Sequence, residues 1–220
     1  LASRFVNVTK TWSNTAEGVV FTLRLPRIIG AVLVGSALSL SGAAYQGVFK
    51  NPLVAPDLLG VSSGACVGAS VAILLHLNSF GVQAMAFVAG ILAVGLTLFI
   101  PRLIKNTNMT MLVLSGIIVK GIMDSVMGII KYVADPETEL QSITYWQLGS
   151  LTKVLPKDLF TVGPVIVAAS VIIFLLRWRI NILSLGDREA KTLGVSVTVV
   201  RNFIIICATL LTASAVCISG

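Results

Sequence analysis

Charged residues are scarce in this chain of 220 residues. Asp, Glu, Lys and Arg together make up 11% of it, whereas a soluble domain carries about 25%. Because so few charges cannot cover a water-facing surface, and 56% of the residues are hydrophobic, the composition predicts a membrane protein. The net charge of +7 does not indicate nucleic-acid binding, since the basic residues stand singly between apolar runs, as in membrane-protein loops.

Residues that bind metals or perform catalysis are also rare. His76 is the single histidine, and Cys66, Cys207 and Cys217 all lie inside apolar runs. An odd number of such cysteines argues against a disulfide framework, and their spacing matches no metal site. The phosphate-binding pattern GxxxxGK[ST] is absent, as is a nucleophile–base constellation. The sequence therefore predicts a protein without a catalytic site or a cofactor of its own, so that a different chain would bind any nucleotide that is consumed.

Long apolar runs fill most of the chain and predict an all-α fold, a bundle of transmembrane helices. A helix needs about 20 apolar residues to cross a bilayer. The loops between the runs alternate between two sides, and loop 177–202 alone carries five basic residues, which predicts that its side is cytoplasmic. Loops 50–57 and 101–108 share that side, and loops 1–27, 76–81 and 131–158 lie on the other. The six predicted spans are 28–49, 58–75, 82–100, 109–130, 159–176 and 203–220.

Small residues recur at helical spacing within the first two spans. Gly60, Gly64 and Gly68 are four residues apart, which places them near one face of the second span. Small residues let another helix backbone approach closely, so this face is predicted to pack against a neighbouring helix. A similar face is predicted on the first span, formed by Gly35, Ser39 and Gly42.

The stretch FKNPLVAPDLLG, residues 49–60, separates the first two spans and contains Asn51, Pro52 and Pro56. Pro52 disfavours the helical conformation at Asn51, and Pro56 keeps a helix from resuming early. Non-helical backbone close to the membrane is tolerated where it lines a cavity or is covered by protein. The stretch is therefore either an ordinary turn or part of a pathway.

Two charged residues, Lys120 and Asp124, lie inside the fourth span and share one face of it. Ionisable groups at this depth are costly and normally face a bundle interior or a water-filled cavity. They could neutralise each other within the helix, or they could line a path for a polar solute. The second interpretation is favoured, because an unneeded charge pair in lipid is a cost.

Residues 184–201, SLGDREAKTLGVSVTVVR, predict a helix–glycine–helix elbow on the cytoplasmic side. Asp187 is a good N-cap and forms an i,i+4 pair with Lys191. Gly194 is placed to end the helix, and Ser196 could cap a second short one. The elbow is either an amphipathic helix that lies on lipid or a docking surface for a soluble partner.

Two arginines, Arg24 and Arg27, flank Pro26 at the outer mouth of the first span. Proline suits the first turn of a helix. Arginines at a helix end can reach lipid headgroups, but a pair of guanidinium groups also suits the carboxylates of a partner or an anionic ligand.

The chain resembles the permease subunits of binding-protein-dependent ABC importers for vitamin B12, ferric siderophores and haem. The likeness covers essentially the whole chain and rests on four stretches in this order: RLPR, SGAAYQGVFKNPLVAPDLLG, YWQLGS and LSLGDREAKTLGVS. It implies about ten spans per subunit and a pore formed by two copies, here a homodimer in a bacterial or archaeal cell (inner) membrane. Residues 1–220 would form a single permease domain that lacks the family's first span and its last three.

The resemblance also implies roles for particular residues. Arg24 and Arg27 would meet acidic residues of an extracytoplasmic substrate-binding protein. Lys120 and Asp124 would lie on a span that lines the pathway. A cytoplasmic gate would be formed by Asn51, Leu53, Met109 and Thr110. The elbow would fit a cleft in a cytoplasmic ATPase subunit, which binds ATP and Mg²⁺, through Leu185, Gly186, Asp187, Arg188, Glu189, Ala190, Leu193 and Gly194.

The cargo implied by the resemblance is an iron chelate (ferric siderophore or haem), cobalamin or a similar compound such as molybdate. The B12 permeases carry small or apolar residues at the positions of Lys120 and Asp124, so this charged pair favours a more polar or ionic cargo than B12. A secondary transporter that uses Lys120 and Asp124 as an ion site is the alternative, but it leaves the elbow unexplained.

Overall fold

A computed structural model describes residue 13 and residues 17–105 and 108–220. Residues 1–12, which belong to the predicted outer loop 1–27, lie outside the described residues, as do residues 14–16 and 106–107. In the described part the chain is helical and contains no β-strand, which confirms the all-α fold.

The described residues form eight α-helices, numbered here in chain order, a π-helical turn at Val19–Arg24, a short 3₁₀ turn at Leu151–Lys153 and the segments that connect them. Five of them are long and apolar enough to cross a membrane: α1 with the helical turn before it, α3, α4, α6 and α8. Their bounds are α1 Leu25–Phe49, α2 Val61–Leu74, α3 Ser79–Leu103, α4 Met109–Val133, α5 Glu139–Leu148, α6 Pro156–Leu185, α7 Asp187–Thr192 and α8 Val197–Ser219.

The second predicted span is much shorter than expected. A helix was predicted from residue 58, but α2 begins at Val61 and has 14 residues, about 21 Å of helix. A bilayer core is about 30 Å thick, so α2 cannot cross it alone. The cause lies before α2: Gly60 adopts a left-handed conformation (φ 79°), and the residues that precede it form turns.

The first span is longer than predicted, since helical structure extends continuously over Val19–Phe49. A π-helical turn, Val19–Arg24, joins directly to α1, and the Leu25 amide donates to the Val20 carbonyl. Pro26 is therefore accommodated inside a continuous helix, just after a turn that is wider than an α-helical one. Arg24 and Arg27 consequently lie inside the helix, close to the end that begins at Val19, rather than at its first residue.

Helix α8 lies at the centre of the bundle. Its apolar stretch is 67% buried, against 39% or less in the other four candidate spans, and it packs against α1, α3 and α6. The hydroxyl groups of Tyr45 on α1 and Thr209 on α8 are 3.0 Å apart and hydrogen-bonded, so these two buried polar groups satisfy each other. The end of the bundle that carries α7 is called the elbow end below.

Gly64 and Gly68 of α2 pack as predicted against a neighbouring helix, which is α3, but Gly60 precedes α2 and lies against Lys120 of α4 instead. A Cβ added at Gly64 would lie 2.5 Å from Ala93 Cβ, and one at Gly68 would overlap the Met85 carbonyl oxygen. The other predicted face is only partly packed. Gly42 is buried against Pro56, whereas Gly35 and Ser39 are exposed on the surface of the bundle.

Candidate functional site

Residues 50–60 are called the connecting segment here. They were predicted to form a loop outside the bundle, but they extend from the elbow end into the bundle, between the helices. Pro56 lies against α1, because a Cβ added at Gly42 would be 3.6 Å from its ring. Leu58 lies against α4, where a Cβ added at Gly116 would be only 2.5 Å from the Leu58 carbonyl oxygen. Glycine at both positions lets the non-helical backbone fit between α1 and α4.

The top of the connecting segment reaches the middle of the bundle. A Cβ added at Gly60 would lie 3.5 Å from the Lys120 backbone nitrogen, which is about 16 Å along α4 from Met109 at the elbow end. Helix α2 begins at the level of Lys120 and extends about 21 Å further away from the elbow end. The segment and α2 together therefore cover the thickness of a bilayer core. The second span is therefore half irregular and half helical.

Hydrogen bonds within the protein satisfy much of this irregular backbone, as its depth requires. The Leu59 carbonyl accepts a 3.0 Å hydrogen bond from the Thr97 hydroxyl on α3. The Val54 carbonyl accepts from the Gln46 side chain, and the Leu53 amide donates to Asn51 Oδ1 at 2.9 Å. These hydrogen bonds give the segment a defined conformation, unlike that of a flexible linker.

Asp57 holds the top of the segment in place. Its Oδ2 lies 2.8 Å from the Lys120 ammonium group, and its Oδ1 accepts a 2.8 Å hydrogen bond from the Ser62 amide at the start of α2. Lys120 is therefore paired with Asp57, and no ion pair between Lys120 and Asp124 occurs among the described residues. An intrahelical Lys120–Asp124 pair, one of the two interpretations of the sequence, is not what forms.

One face of α4 is exposed and is unusually polar for a membrane helix. Gly121, Asp124 and Gly128 follow each other at helical spacing, and all three are exposed, as is Lys120 at the edge of this stripe. A neighbouring exposed face carries the isoleucines 118, 122 and 129 and suits lipid. Because charges at membrane depth require water or protein around them, the polar stripe suits a water-filled cavity or a contact with protein better than lipid.

The four residues predicted as a gate lie together at the elbow end. A cleft of about 330 Å³ is lined by Asn51 and Leu53 of the connecting segment and by Met109 and Thr110 of α4. Met109 and Thr110 are the first two residues of α4, which begins where the span 109–130 was predicted to begin. Leu53 is 88% exposed, so its apolar side chain extends from this cleft without covering from the described chain.

The elbow at residues 184–201 is present, but its details differ from the prediction. Gly186 is the N-cap of α7 and Asp187 is its first residue, so Asp187 does not cap the helix. Gly194, with φ 76°, follows the end of α7 as predicted. Ser196 precedes α8, so the helix that it begins is the last long helix and not a second short one.

Asp187 contacts two cations from other elements instead of Lys191. Its carboxylate lies 3.0 Å from the Lys50 ammonium group at the end of α1 and 2.8 Å from the Arg201 guanidinium on α8. The hydrogen bonds from Arg201 lower the pKa of Asp187, burial opposes them, and Lys50 lowers the pKa further. Asp187 therefore joins the elbow to two long helices.

The exposed surface of the elbow is mixed in character. Leu185 and Leu193 are 68% and 61% exposed, and Arg188 and Glu189 are exposed beside them. Ala190 is fully buried and anchors α7 on the bundle. At the opposite end of the bundle, Arg24 and Arg27 are both exposed.

Comparison with known proteins shows which family this chain belongs to. The model of the FecCD transport family matches residues 1–220. The chain belongs to the FecCD transport family. It is 36% identical over 205 residues, 93% of this chain and 60% of the relative, to the molybdate import system permease protein MolB of Haemophilus influenzae. It is 38% identical over 202 residues, 92% of this chain and 61% of the relative, to an iron chelatin transport system permease protein of Helicobacter pylori.

A solved structure of an ABC transporter assigned to the metal-chelate type, in an inward-facing conformation, has the same fold. The TM-score is 0.90 at 33% identity, over 96% of this chain and 68% of that one. The chain thus spans about 60% of the length of the curated FecCD-type relatives named above. Its apolar helices and its family make it an integral membrane protein.

The sequence of this FecCD-family chain does not single out three charged residues of the site: Lys50, Asp57 and Arg201. All three lie in the predicted loops 50–57 and 177–202, where charges are ordinary. A signal was available for Asp57, because a lysine at membrane depth requires a counter-charge or water and Asp57 is the one acidic residue between Glu17 and Asp124. No sequence pattern links Lys50 with Asp187, which are 137 residues apart.

Proposed function

We propose that the full-length protein is the permease subunit of an ATP-driven importer and forms the pathway for a cargo that a substrate-binding protein delivers. One observation carries this proposal: the polar stripe of α4 and the irregular segment at mid-depth lie side by side in a FecCD-family chain. The cargo is an iron chelate (ferric siderophore or haem), cobalamin or a similar compound such as molybdate. No observation favours the alternative driven by an ion gradient.

The polar stripe supports a lining for the pathway. Lys120 is neutralised by Asp57, so Asp124 supplies an exposed carboxylate near the middle of the membrane. A polar solute that crosses here exchanges part of its hydration for these groups and for the irregular backbone. The full subunit would have about ten spans, six of them in residues 1–220 when the segment and α2 count as one, and a second copy would complete the pathway.

Leu53 is proposed to close this pathway at the cytoplasmic end. Its exposed side chain beside Asn51 and Thr110 can meet the same residue of a second copy across the pore. Replacing Leu53 by Gly removes the side chain while the turn of residues 50–54 remains. Vesicles that contain the Leu53→Gly transporter should leak trapped molybdate or ferric chelate without ATP, whereas Leu103→Gly, at an exposed leucine outside the cleft, should stay tight. A tight and fully coupled Leu53→Gly transporter contradicts the gate.

The elbow is proposed to contact the cytoplasmic ATPase subunits, which bind ATP and Mg²⁺. An exposed leucine beside charged residues suits a protein interface better than either water or lipid alone. Leu193→Asp should abolish co-purification with the ATPase, whereas Leu103→Asp should not. Co-purification of the Leu193→Asp variant at the native ratio would exclude this contact.

The two exposed arginines at the opposite end, Arg24 and Arg27, are proposed to receive the substrate-binding protein. Guanidinium groups form strong, oriented hydrogen bonds with carboxylates, which suits transient docking of an acidic surface. Reversal of both charges to Glu should weaken binding of the substrate-binding protein and leave the assembly with the ATPase unchanged.

A further inference from the structure

The elbow helix α7 is joined to its neighbours through two glycines in unusual conformations. Gly186 before it has φ 151°, and Gly194 after it has φ 76°. Such backbone conformations are accessible mainly to glycine, and hinges in proteins are a few residues of this kind at the ends of elements. Side-chain contacts therefore decide which part of the bundle follows a movement of α7.

The ion pairs of Asp187 are the polar side-chain links from α7 to the rest of the described chain. One link goes to Arg201, whose side chain is only 12% exposed and is fixed in α8. The other goes to Lys50, whose side chain is 35% exposed and which ends α1 in a left-handed conformation. The first link anchors α7 to the central helix, and the second leads to the connecting segment.

Lys50 is joined rigidly to the residues of the cleft. It directly precedes Asn51, and the Asn51 amide still donates to Gln46 on α1. The Asn51 side chain accepts from the Leu53 amide at 2.9 Å, and the Val54 amide donates to the Asn51 carbonyl at 3.2 Å. A displacement of Lys50 therefore moves the turn of residues 50–54 as one piece.

We propose that the Lys50–Asp187 ion pair transmits the movement of α7 to the Asn51–Leu53 turn, which makes Lys50 a positioning residue for the gate. This inference rests on the proposed function, because it takes α7 as the ATPase contact and Leu53 as the gate. The route is short: α7, the Asp187 carboxylate, the Lys50 ammonium group, and the turn. It does not pass through the packed centre of the bundle.

The strength of the ion pair limits the effect. An ion pair as exposed as this one contributes a factor of about two to five to an equilibrium. A link can bias the turn by no more than its own free energy, so its loss should reduce the response of the turn by the same factor of about two to five. For the same reason, loss of the ion pair should leave the stability of the fold nearly unchanged, so a smaller response would not be caused by unfolding.

The test follows two positions in the full-length transporter assembled with its ATPase in lipid vesicles. The native cysteines are replaced by Ser, and an environment-sensitive bimane label is attached either at Leu53→Cys, on the turn, or at Thr192→Cys, on α7. The change in emission is measured when Mg²⁺ and the slowly hydrolysed analogue ATPγS are added. Lys50→Ala should reduce the response at position 53 about two- to fivefold and leave the response at position 192 unchanged.

Two control variants complete the test. Lys50→Arg keeps the charge and should restore the full response at position 53. Lys105→Ala should have no effect, because Lys105 has the same left-handed backbone (φ 53°) at the elbow end but makes no ion pair among the described residues.

The outcomes separate this inference from the proposed function. An unchanged response at position 53 in Lys50→Ala overturns the inference and leaves the proposed function standing. An equal loss at positions 53 and 192 also overturns it, because Lys50 would then only support the structure. No response to ATPγS at either position, with Lys50 and Asp187 in place, overturns the proposed function and the inference with it.

Discussion

The replacement of Gly116 by Ala should detach the connecting segment from α4. The added Cβ would lie 2.5 Å from the Leu58 carbonyl oxygen and 3.3 Å from Leu59 Cα. Both neighbours are backbone atoms, so no side-chain rotation can relieve the overlap. The segment or the helix must move by about 0.9 Å to restore an ordinary contact, and Leu59, fully buried and hydrogen-bonded to Thr97, resists the movement.

The magnitude follows from two opposing terms. Overpacking in a well-packed region costs about 1–3 kcal/mol. Alanine in a helix interior stabilises the folded state by about 0.5–1 kcal/mol relative to glycine. We therefore expect Gly116→Ala to lower the free energy of unfolding by about 1 kcal/mol, and by no more than about 2.5 kcal/mol.

The same helix provides matched controls. A Cβ added at Gly121 or Gly128 would meet no atom of the described residues within 4 Å. Gly121→Ala and Gly128→Ala should therefore be neutral or more stable by up to about 1 kcal/mol. The assay is unfolding of the detergent-solubilised full-length subunit by increasing SDS, followed by circular dichroism. A Gly116→Ala subunit as stable as the two control variants would refute the close contact between the segment and α4.

Three further predictions concern the polar groups. Thr97→Val should destabilise the subunit by about 1–3 kcal/mol in the same SDS assay, because the Leu59 carbonyl loses its hydrogen-bond donor. The control is Thr161→Val, at an exposed threonine. A Thr97→Val subunit as stable as the Thr161→Val subunit would contradict the hydrogen bond. Lys120→Ala and Asp124→Ala should each reduce ATP-driven uptake at equal expression; normal uptake and stability in both would exclude a role in the pathway. In the folded protein the pKa of Asp187 lies below its ordinary value of 3.8, so the ionised carboxylate stabilises the fold. The native protein should therefore be more stable than the Asp187→Asn variant by the full amount above about pH 5, and this difference should disappear as the pH falls through the lowered pKa. Melting temperatures at several pH values test it, and an advantage that grows in acid contradicts the ion pairs.

The sequence by itself determined the class of this protein, the number of apolar segments and the position of the elbow. These features depend on local composition: a run of about 20 apolar residues without a helix-breaking turn is long enough to cross a membrane as a helix. Pro52, Pro56 and Gly194 likewise act on the backbone at their own positions. The helix packing of Gly64 and Gly68 followed from their spacing, which fixes the face that they share.

Only the tertiary structure decided what the irregular residues do. The sequence assigned residues 50–57 to a loop because two prolines stop a helix there, but proline does not determine where the chain then goes. Gly42, Gly116 and the Thr97 hydroxyl receive that segment, and they come from three different helices. The pairing of Lys120 with Asp57 and of Asp187 with Lys50 arises in the same way, because charges find partners across space and their sequence separation carries no information about it.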